Sequence, residues 1–214
     1  MNLKSIEDYL DVYFITDAGF GYTHEEIAEM ALKAGVEIIQ FREKKMSTKK
    51  MYEVGKKLRK LTRDYDALLF VNDRIDVALA IDADGVHVGQ DDMPAEITRE
   101  IFSGYIGVSA RSVEEAKKDE KYADYLGVGP VFPTRTKEDA GDAIGVETLK
   151  TIVEQVSVPV VAIGSINKQN AIEVLKVGVD GIAVISAIAG AENPEEEARE
   201  LLKIVRSFKS KAKS

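Results

Sequence analysis

The sequence predicts an α/β protein of the (β/α)8 TIM barrel class, built as a single domain over residues 1–214. Short apolar, β-branched runs alternate with longer amphipathic segments along the whole chain. There are eight such runs, the strand number of a closed (β/α)8 barrel. No linker rich in Gly, Ser or Pro divides the 214 residues. An open, flavodoxin-like sheet with extra strands is the alternative fold.

The eight runs are predicted to be parallel strands, because each is almost continuously apolar, as expected where helices cover both faces of a sheet. Their residue numbers are 12–16, 37–41, 67–71, 85–89, 105–109, 125–129, 159–164 and 181–186. The segments between them place apolar residues three and four positions apart, which predicts helices. Glycine ends several of these segments, as Gly35 and Gly178 do. We expect the basic tail at about 208–214 to fray.

Composition excludes several classes of function. The chain has no Cys and only two His, which argues against disulfides, thiolate chemistry and a structural zinc site. A net charge of −8 makes nucleic acid and anionic membranes unlikely partners. The N-terminal residues carry charge where a signal peptide is apolar, and no apolar run reaches the roughly 18 residues of a membrane span. We therefore expect a cytoplasmic protein, and a homo-oligomer stays open.

In a barrel the chemistry lies at the carboxyl ends of the strands, so the residues that follow each apolar run are the candidate site. The second run leads into Gln40, Arg42 and Lys44, whose spacing of two residues projects them to one face of a strand. An amide and two cations in a row suit a polyanion. A solvated basic rim is the alternative interpretation.

The third and fourth runs end next to carboxylates. Asp73 follows one run and Asp91 and Asp92 follow the next. Mg²⁺ takes oxygen ligands and is commonly bound through one or two carboxylates plus substrate phosphates. We therefore predict a Mg²⁺ site, with one ion per active site, held by carboxylates from these two neighbouring strand ends. We also expect at least one of Asp91 and Asp92 to cap the short helix that opens near Pro94.

Two further regions suit a phosphate. Hydroxyls and an ammonium follow the sixth run, where the charged, Gly-containing segment 134–142 is expected to form a mobile active-site loop. A Thr-rich turn would look the same without a ligand. The loops after the seventh and eighth strands form the recurrent barrel phosphate site. The candidate residues are Thr134, Thr136, Lys137, Gly164, Ser165, Ile185 and Ser186.

The two histidines are predicted to lie outside the chemistry. His24 begins a helix and is expected to be an exposed first-turn residue. Alternation sends His87 into the barrel interior, where a hydrogen-bonded core histidine is expected. The chain thus offers anion-binding regions and a carboxylate pair, but no obvious nucleophile or acid/base dyad. That set suits reactions in which pyrophosphate leaves with the help of a metal and cations.

Seven segments in order resemble the thiamine-phosphate synthase family: residues 40–44, 71–79, 84–92, 107–110, 124–137, 158–166 and 180–188. The resemblance implies a (β/α)8 transferase of thiamine biosynthesis. Such an enzyme joins hydroxymethylpyrimidine diphosphate to a thiazole phosphate with Mg²⁺, and it releases pyrophosphate and thiamine monophosphate. In that family the C–O bond breaks first, and the thiazole nitrogen captures a pyrimidine cation. This path needs no strong base.

The resemblance also implies roles for individual residues. Arg42, Lys44 and Lys137 are implied to be catalytic, acting on the diphosphate, and Asp73 and Asp92 to bind Mg²⁺. The substrate-binding set that it implies is Gln40, Phe41, Arg42, Glu43, Lys44, Asn72, Ser109, Thr134, Thr136, Lys137, Gly164, Ser165, Ile185 and Ser186.

Two positions depart from the family pattern. Gly164-Ser165 stands where Gly-Gly is common, so the Cβ of Ser165 can crowd the phosphate pocket. Arg111 stands where a histidine often follows the GVSA motif. The sister family of thiazole tautomerases uses a histidine there and lacks the full carboxylate set, so both features count against a tautomerase. A non-catalytic phospho-ligand-binding barrel is the third hypothesis.

Overall fold

We describe residues 5–134 and 141–212 of a computed structural model. Eight parallel strands close into a barrel in chain order, each paired with the next and the eighth paired with the first. The predicted (β/α)8 barrel is confirmed, and the open sheet is excluded. The strands are β1 Val12–Thr16, β2 Ile38–Phe41, β3 Leu68–Asn72, β4 Gly85–Val88, β5 Tyr105–Ala110, β6 Tyr125–Val128, β7 Val160–Ile163 and β8 Gly181–Val184.

Helices surround the barrel in the described residues. They are α1 His24–Lys33, α2 Thr48–Asp64, α3 Ile75–Ile81, α4 Ala95–Ile101, α5 Val113–Asp119, α6 Gly145–Gln155, α7 Ala171–Leu175, α8 Ser186–Ala189 and α9 Pro194–Ala212. None of the helices in the described ranges is long and apolar enough to span a bilayer. The assignment of residues 1–214 to one domain stays a prediction, because residues 1–4, 135–140 and 213–214 lie outside the described part.

Strand alternation divides the core into two layers. Along β1, Val12 and Phe14 face the helices, whereas Tyr13 and Ile15 face the barrel interior. The interior is filled by aromatic rings, and Tyr13 and Tyr125 meet edge to face with centroids 5.6 Å apart. Glycine makes room for them, since a Cβ at Gly107 would lie 2.2 Å from the Tyr125 ring. The barrel interior is therefore closely packed, with the hydroxyl groups of these tyrosines buried among the aromatic rings.

Ion pairs close the amino end of the barrel. Asp84 accepts two hydrogen bonds from Arg59 at 2.5 and 2.9 Å and one from the backbone N–H of Leu69 at 2.7 Å. Asp124 repeats the arrangement with Arg99 at 2.6 Å and with a backbone N–H at the start of β5 at 2.7 Å. Each carboxylate therefore fixes a strand start and a helix side chain together.

The C-terminal helix differs from the frayed tail that we expected. Helix α9 continues through residue 208 to Ala212. Its last turns are tied to the barrel, because Asp11 before β1 accepts hydrogen bonds from Lys209 at 2.6 Å and Arg206 at 2.9 Å. Burial alone would raise the pKa of Asp11, but these two cations hold it below its ordinary value. Contacts with a residue almost two hundred positions away order this segment, and sequence proximity gives no sign of them.

Candidate active site

A cavity of about 470 Å³ opens at the carboxyl ends of the strands. Its size suits a small-molecule site, and it lies where barrel enzymes place their chemistry. Most of the residues singled out in the sequence line it: Arg42, Lys44, Asn72, Asp73, Asp92, Ser109, Thr134, Gly164, Ser165, Ile185 and Ser186. Thr136 and Lys137 lie outside the described residues, and so does most of the loop predicted over 134–142.

The cations after β2 lie on one side of the mouth. Arg42 donates to Asp17 at the end of β1 over 3.1 Å, and its side chain is only 12% exposed. Lys44, after β2, donates to Asp73, after the neighbouring strand β3, over 2.6 Å, and the Lys44 side chain is 43% exposed. The enclosure of Arg42 argues against a solvated basic rim, since a rim cation keeps its head group in water.

Two carboxyl groups face each other beside Lys44. Asp92 accepts from the backbone N–H of Gly89 at 2.7 Å, and Asp73 lies within hydrogen-bonding reach of Asp92. Burial raises the pKa of Asp73, Lys44 lowers it, and the neighbouring Asp92 raises it again. Asp73 also has a φ of +61°, a left-handed conformation that is strained outside glycine and concentrates at functional sites. The fold therefore holds two like charges together at the mouth.

Neither Asp91 nor Asp92 caps the following helix, so that expectation was wrong. Pro94 is the N-cap of α4, and no side chain caps it. Asp92 instead uses its acceptor on Gly89, three residues earlier, within the β4–α4 loop. The carboxylate of Asp92 therefore accepts a hydrogen bond within the turn and not at the start of α4, and its side chain lines the cavity.

The carboxylate pair fits Mg²⁺ by donor type. Within the described ranges no group of three or more His, Asp or Glu side chains gathers as a full metal cage. A magnesium site does not require one, because Mg²⁺ keeps several waters and is often held by one or two carboxylates together with substrate phosphate oxygens. Asp73 and Asp92 supply that kind of donor and lie next to cations able to hold the same phosphates.

The opposite side of the mouth is built from the loops after β7 and β8. Gly164 has a φ of +111°, and a Cβ there would lie 2.5 Å from the Cα of Pro130, so only glycine fits. Ser165 adopts a φ of +50° and donates its hydroxyl to the Pro133 carbonyl at 2.7 Å. The loop after β8 leads directly into α8, which begins at Ser186 beside the cavity.

Three predicted binding residues near the end of β2 do not line this cavity. Gln40 is buried in the barrel interior, where its Nε2 donates to the Tyr13 hydroxyl at 2.9 Å. Phe41 points outward and packs its ring against His24. Glu43 turns toward α1. Successive side chains on a strand point to opposite faces, so Phe41 faces the helix layer because Gln40 faces the interior. Consecutive residues of the motif therefore cannot all line the cavity.

His87 belongs to a chain of hydrogen bonds below the cavity. Its Nε2 lies 2.8 Å from the Ser109 hydroxyl and its Nδ1 lies 2.9 Å from the Tyr125 hydroxyl. Tyr125 in turn donates to Tyr13 at 2.8 Å. Burial raises the pKa of both tyrosines well above the ordinary value, so they stay protonated. The prediction of a hydrogen-bonded interior histidine is confirmed, although His87 also borders the cavity.

His24 corrects a second expectation. Its side chain is 1% exposed, although it opens a helix. The ring lies between Thr16 and Glu43, with nitrogen to oxygen distances of 2.7 and 3.3 Å. Its partners come from the ends of two neighbouring strands, which the helix-start pattern could not show.

Several cavity residues were not predicted as site residues. The polar ones among them are His87, Gln90, Asp91, Arg111 and Glu115. Arg111 directly follows β5, so the rule that selects residues after strand ends could have found it. Glu115 lies in the first turn of α5 and carries no such signal.

A closed barrel with a charged cavity at the carboxyl ends of its strands is typical of a (β/α)8 enzyme that acts on small molecules. The sequence matches the family described as thiamine monophosphate synthase over residues 12–188. The chain therefore belongs to the thiamine monophosphate synthase family.

Similar proteins agree with this assignment. The chain is 78% identical to the thiamine-phosphate synthase of Archaeoglobus fulgidus over 208 residues, which is 97% of this chain and 99% of that protein. It is 57% identical to the thiamine-phosphate synthase of Pyrococcus furiosus over 96% of this chain and 98% of that one. A solved structure of thiamine phosphate pyrophosphorylase from Pyrococcus furiosus superposes with a TM-score of 0.90 at 54% identity, covering 95% of this chain and 99% of that chain. The predicted transferase activity of thiamine biosynthesis is confirmed.

Proposed function

We propose that the chain condenses 4-amino-2-methyl-5-hydroxymethylpyrimidine diphosphate with a thiazole phosphate at this cavity, with one Mg²⁺ held by Asp73 and Asp92. The observation that carries the proposal is the junction between cations and carboxylates at the mouth, where Lys44 and Asp73 lie 2.6 Å apart. A diphosphate bridges such a junction well, because it is an anion that also carries metal ligands.

The cations bind and stabilise the leaving group. As the bond between the methylene carbon and the diphosphate oxygen breaks, the electron pair goes to oxygen and negative charge grows on the pyrophosphate. Arg42 and Lys44 are proposed to stabilise this charge, and Lys137 is proposed to reach the same group. Cations fixed before the reaction stabilise the developing charge without having to reorganise. Mg²⁺ bound at Asp73 and Asp92 would supply further charge neutralisation for the departing pyrophosphate.

The second substrate is proposed to bind across the cavity. Gly164, Ser165, Ile185 and Ser186 bring backbone N–H groups to its phosphate, and Thr134 and Thr136 add hydroxyls. Asn72 and Ser109 lie between the two regions and are proposed to contact the pyrimidine diphosphate. Gln40 is proposed to act from the interior, because its buried Oε1 has no partner among the described residues. Two anchored substrates then meet with their reacting carbon and nitrogen adjacent.

The proposed chemistry needs little proton transfer from the protein. The thiazole nitrogen donates its lone pair to the pyrimidine cation, and no proton leaves in the bond-forming step. Both ring nitrogens of His87 are engaged with Ser109 and Tyr125, which suits a fixed wall better than a general base. The net charge of −8 argues against nucleic acid or an anionic membrane surface as a partner, and we propose that the chain acts on small phosphorylated substrates in the cytoplasm.

The test supplies both substrates and measures thiamine phosphate and pyrophosphate with Mg²⁺, with EDTA, and with Mg²⁺ restored after EDTA. We expect both products in equal amounts, loss of turnover with EDTA and recovery with Mg²⁺. Product formation that continues in EDTA would overturn the metal assignment. A tautomerase would instead convert the thiazole phosphate alone without metal, and a binding protein would bind both ligands without product.

A further inference from the structure

We infer that His24 and Glu43 are positioning residues that set the affinity of the cavity for a diphosphate by fixing the orientation of Arg42 and Lys44. Neither residue lines the cavity in the described part of the chain. The inference rests on the proposed function only in taking Arg42 and Lys44 as diphosphate contacts.

His24 and Glu43 form a buried hydrogen-bonded group, here called the His24–Glu43 clamp. The side chains of His24 and Glu43 are only 1% and 9% exposed. The ring reaches Thr16 at the end of β1 through Nδ1 and Glu43 through Nε2. The Thr16 hydroxyl also donates to the Gln40 carbonyl in β2 at 3.3 Å. The clamp thus joins the ends of two strands to the first turn of α1.

The carboxylate also organises the backbone of the loop between β2 and α2. Glu43 Oε1 accepts the N–H groups of Lys45 at 2.6 Å and Met46 at 3.3 Å, while its other oxygen faces His24. Burial alone would raise the pKa of Glu43, but these backbone donors and His24 hold it below its ordinary value. An ionised carboxylate with several donors makes strong hydrogen bonds, so it restricts this loop more than a neutral side chain would.

The position of Glu43 explains why this restriction reaches the cavity. Its two sequence neighbours, Arg42 and Lys44, both line the cavity, whereas Glu43 itself turns to the helix layer. Anchoring the middle residue therefore sets the direction of both flanking cations. Lys44 lies in the loop between β2 and α2, directly before the Lys45 and Met46 N–H groups that Glu43 accepts. A shift of about 1 Å in such groups can lower the rate about a hundredfold.

The test compares Glu43→Ala, Glu43→Gln and His24→Gln with Glu25→Ala. Glu25 is the matched control, because it neighbours His24 in α1 but pairs with Lys57 on the surface at 3.2 Å. For each variant we would measure the Kd of inorganic pyrophosphate in Mg²⁺ by calorimetry, the KM of each substrate, and Tm. Calorimetry of pyrophosphate reports on the cations without requiring turnover.

We expect Glu43→Ala and His24→Gln to weaken pyrophosphate binding and raise the KM of the pyrimidine diphosphate by about tenfold or more. The KM of the thiazole phosphate should stay within about twofold, because its contacts lie across the cavity. Glu43→Gln keeps an acceptor for the loop N–H groups and should recover part of the affinity. The double variant Glu43→Ala with His24→Gln should bind pyrophosphate only slightly more weakly than either single variant, because the clamp acts as one unit.

Unchanged pyrophosphate affinity in folded Glu43→Ala and His24→Gln would overturn the inference. So would an equal rise in both KM values that follows the fall in Tm, because that pattern reports general loosening. If Glu43→Ala does not fold, His24→Gln and Glu43→Gln decide by the same measurements. Failure of the wild-type protein to bind pyrophosphate would contradict the proposed function itself. Equal binding by wild type and variants would contradict only the role of the clamp.

Discussion

The two ends of the barrel use charge in different ways. At the amino end, Asp84 and Asp124 each bind one arginine and one strand N–H, so the fold itself supplies the partners of these two carboxylates. At the carboxyl end, Asp73 and Asp92 face each other, and the proximity of Asp92 raises the pKa of Asp73. These amino-end carboxylates are paired within the protein, whereas we propose that the carboxylates at the carboxyl end are balanced by a bound cation and its anionic ligand. Stability and function are thus separated along the barrel axis.

The strongest test of this contrast is Asp92→Asn. The amide keeps the shape and an acceptor for Gly89 but removes the charge that would hold Mg²⁺. We expect kcat with Mg²⁺ to fall by about a hundredfold or more. Tm should stay level or rise slightly, because a repulsive pair is relieved. Steady-state kinetics and thermal melting check both parts.

Asp91→Asn is the matched control, because it removes the neighbouring carboxylate that is not assigned to the metal. We expect it to retain most of the wild-type activity. Turnover by Asp92→Asn at the wild-type rate would contradict the proposal that Asp92 holds Mg²⁺ for catalysis.

The opposite test is Asp84→Ala at the amino end. The substitution removes the partner of Arg59 and of the Leu69 N–H. Both side chains of the pair are mostly buried, with Arg59 13% exposed and Asp84 22% exposed. We expect a loss of about 2–3 kcal/mol in the free energy of unfolding. For a chain of this length that lowers Tm by about 4–12 °C. The kcat at a temperature where the variant is folded should be unchanged.

Glu195→Ala provides the comparison for Asp84→Ala. Glu195 pairs with Arg199 on the exposed face of α9 at 2.6 Å. Exposed pairs of this kind contribute less than about 1 kcal/mol, so its Tm should barely move. Equal losses in the two variants would contradict the claim that the amino end is stabilised by its enclosed ion pairs.

The same contrast explains what the sequence could predict. Strand periodicity and the rule that barrel chemistry follows strand ends were enough to predict that Arg42, Asp73 and Ser165 lie at the cavity, because each comes within two residues of a strand. Both are local rules. They fail where a partner is distant in sequence, as for His24 and Glu43, which are 19 residues apart. Extending a motif through every consecutive residue failed at Phe41, since alternation sends neighbouring side chains to opposite layers.

Gly164→Ala tests the geometry of the proposed phosphate region and should have a moderate effect. A methyl group would meet Pro130, and a φ of +111° is unfavourable for alanine. We expect a loss of about 1–3 kcal/mol in the free energy of unfolding. The KM of the thiazole phosphate should rise while the Kd of pyrophosphate stays level. A variant as stable as wild type, with unchanged KM, would show that this loop tolerates a side chain.

Ser165→Gly should have the smallest effect, because two contributions oppose each other. Glycine relieves about 1–2 kcal/mol of left-handed strain at a φ of +50°. It also loses the hydroxyl bond to Pro133, a contribution of about 0.5–1.5 kcal/mol. Denaturant unfolding should therefore find a net change below about 1 kcal/mol. Ser165→Ala keeps the strain and loses only the bond, so it should be the less stable of the two variants. The reverse order would mean that backbone strain at this position is negligible.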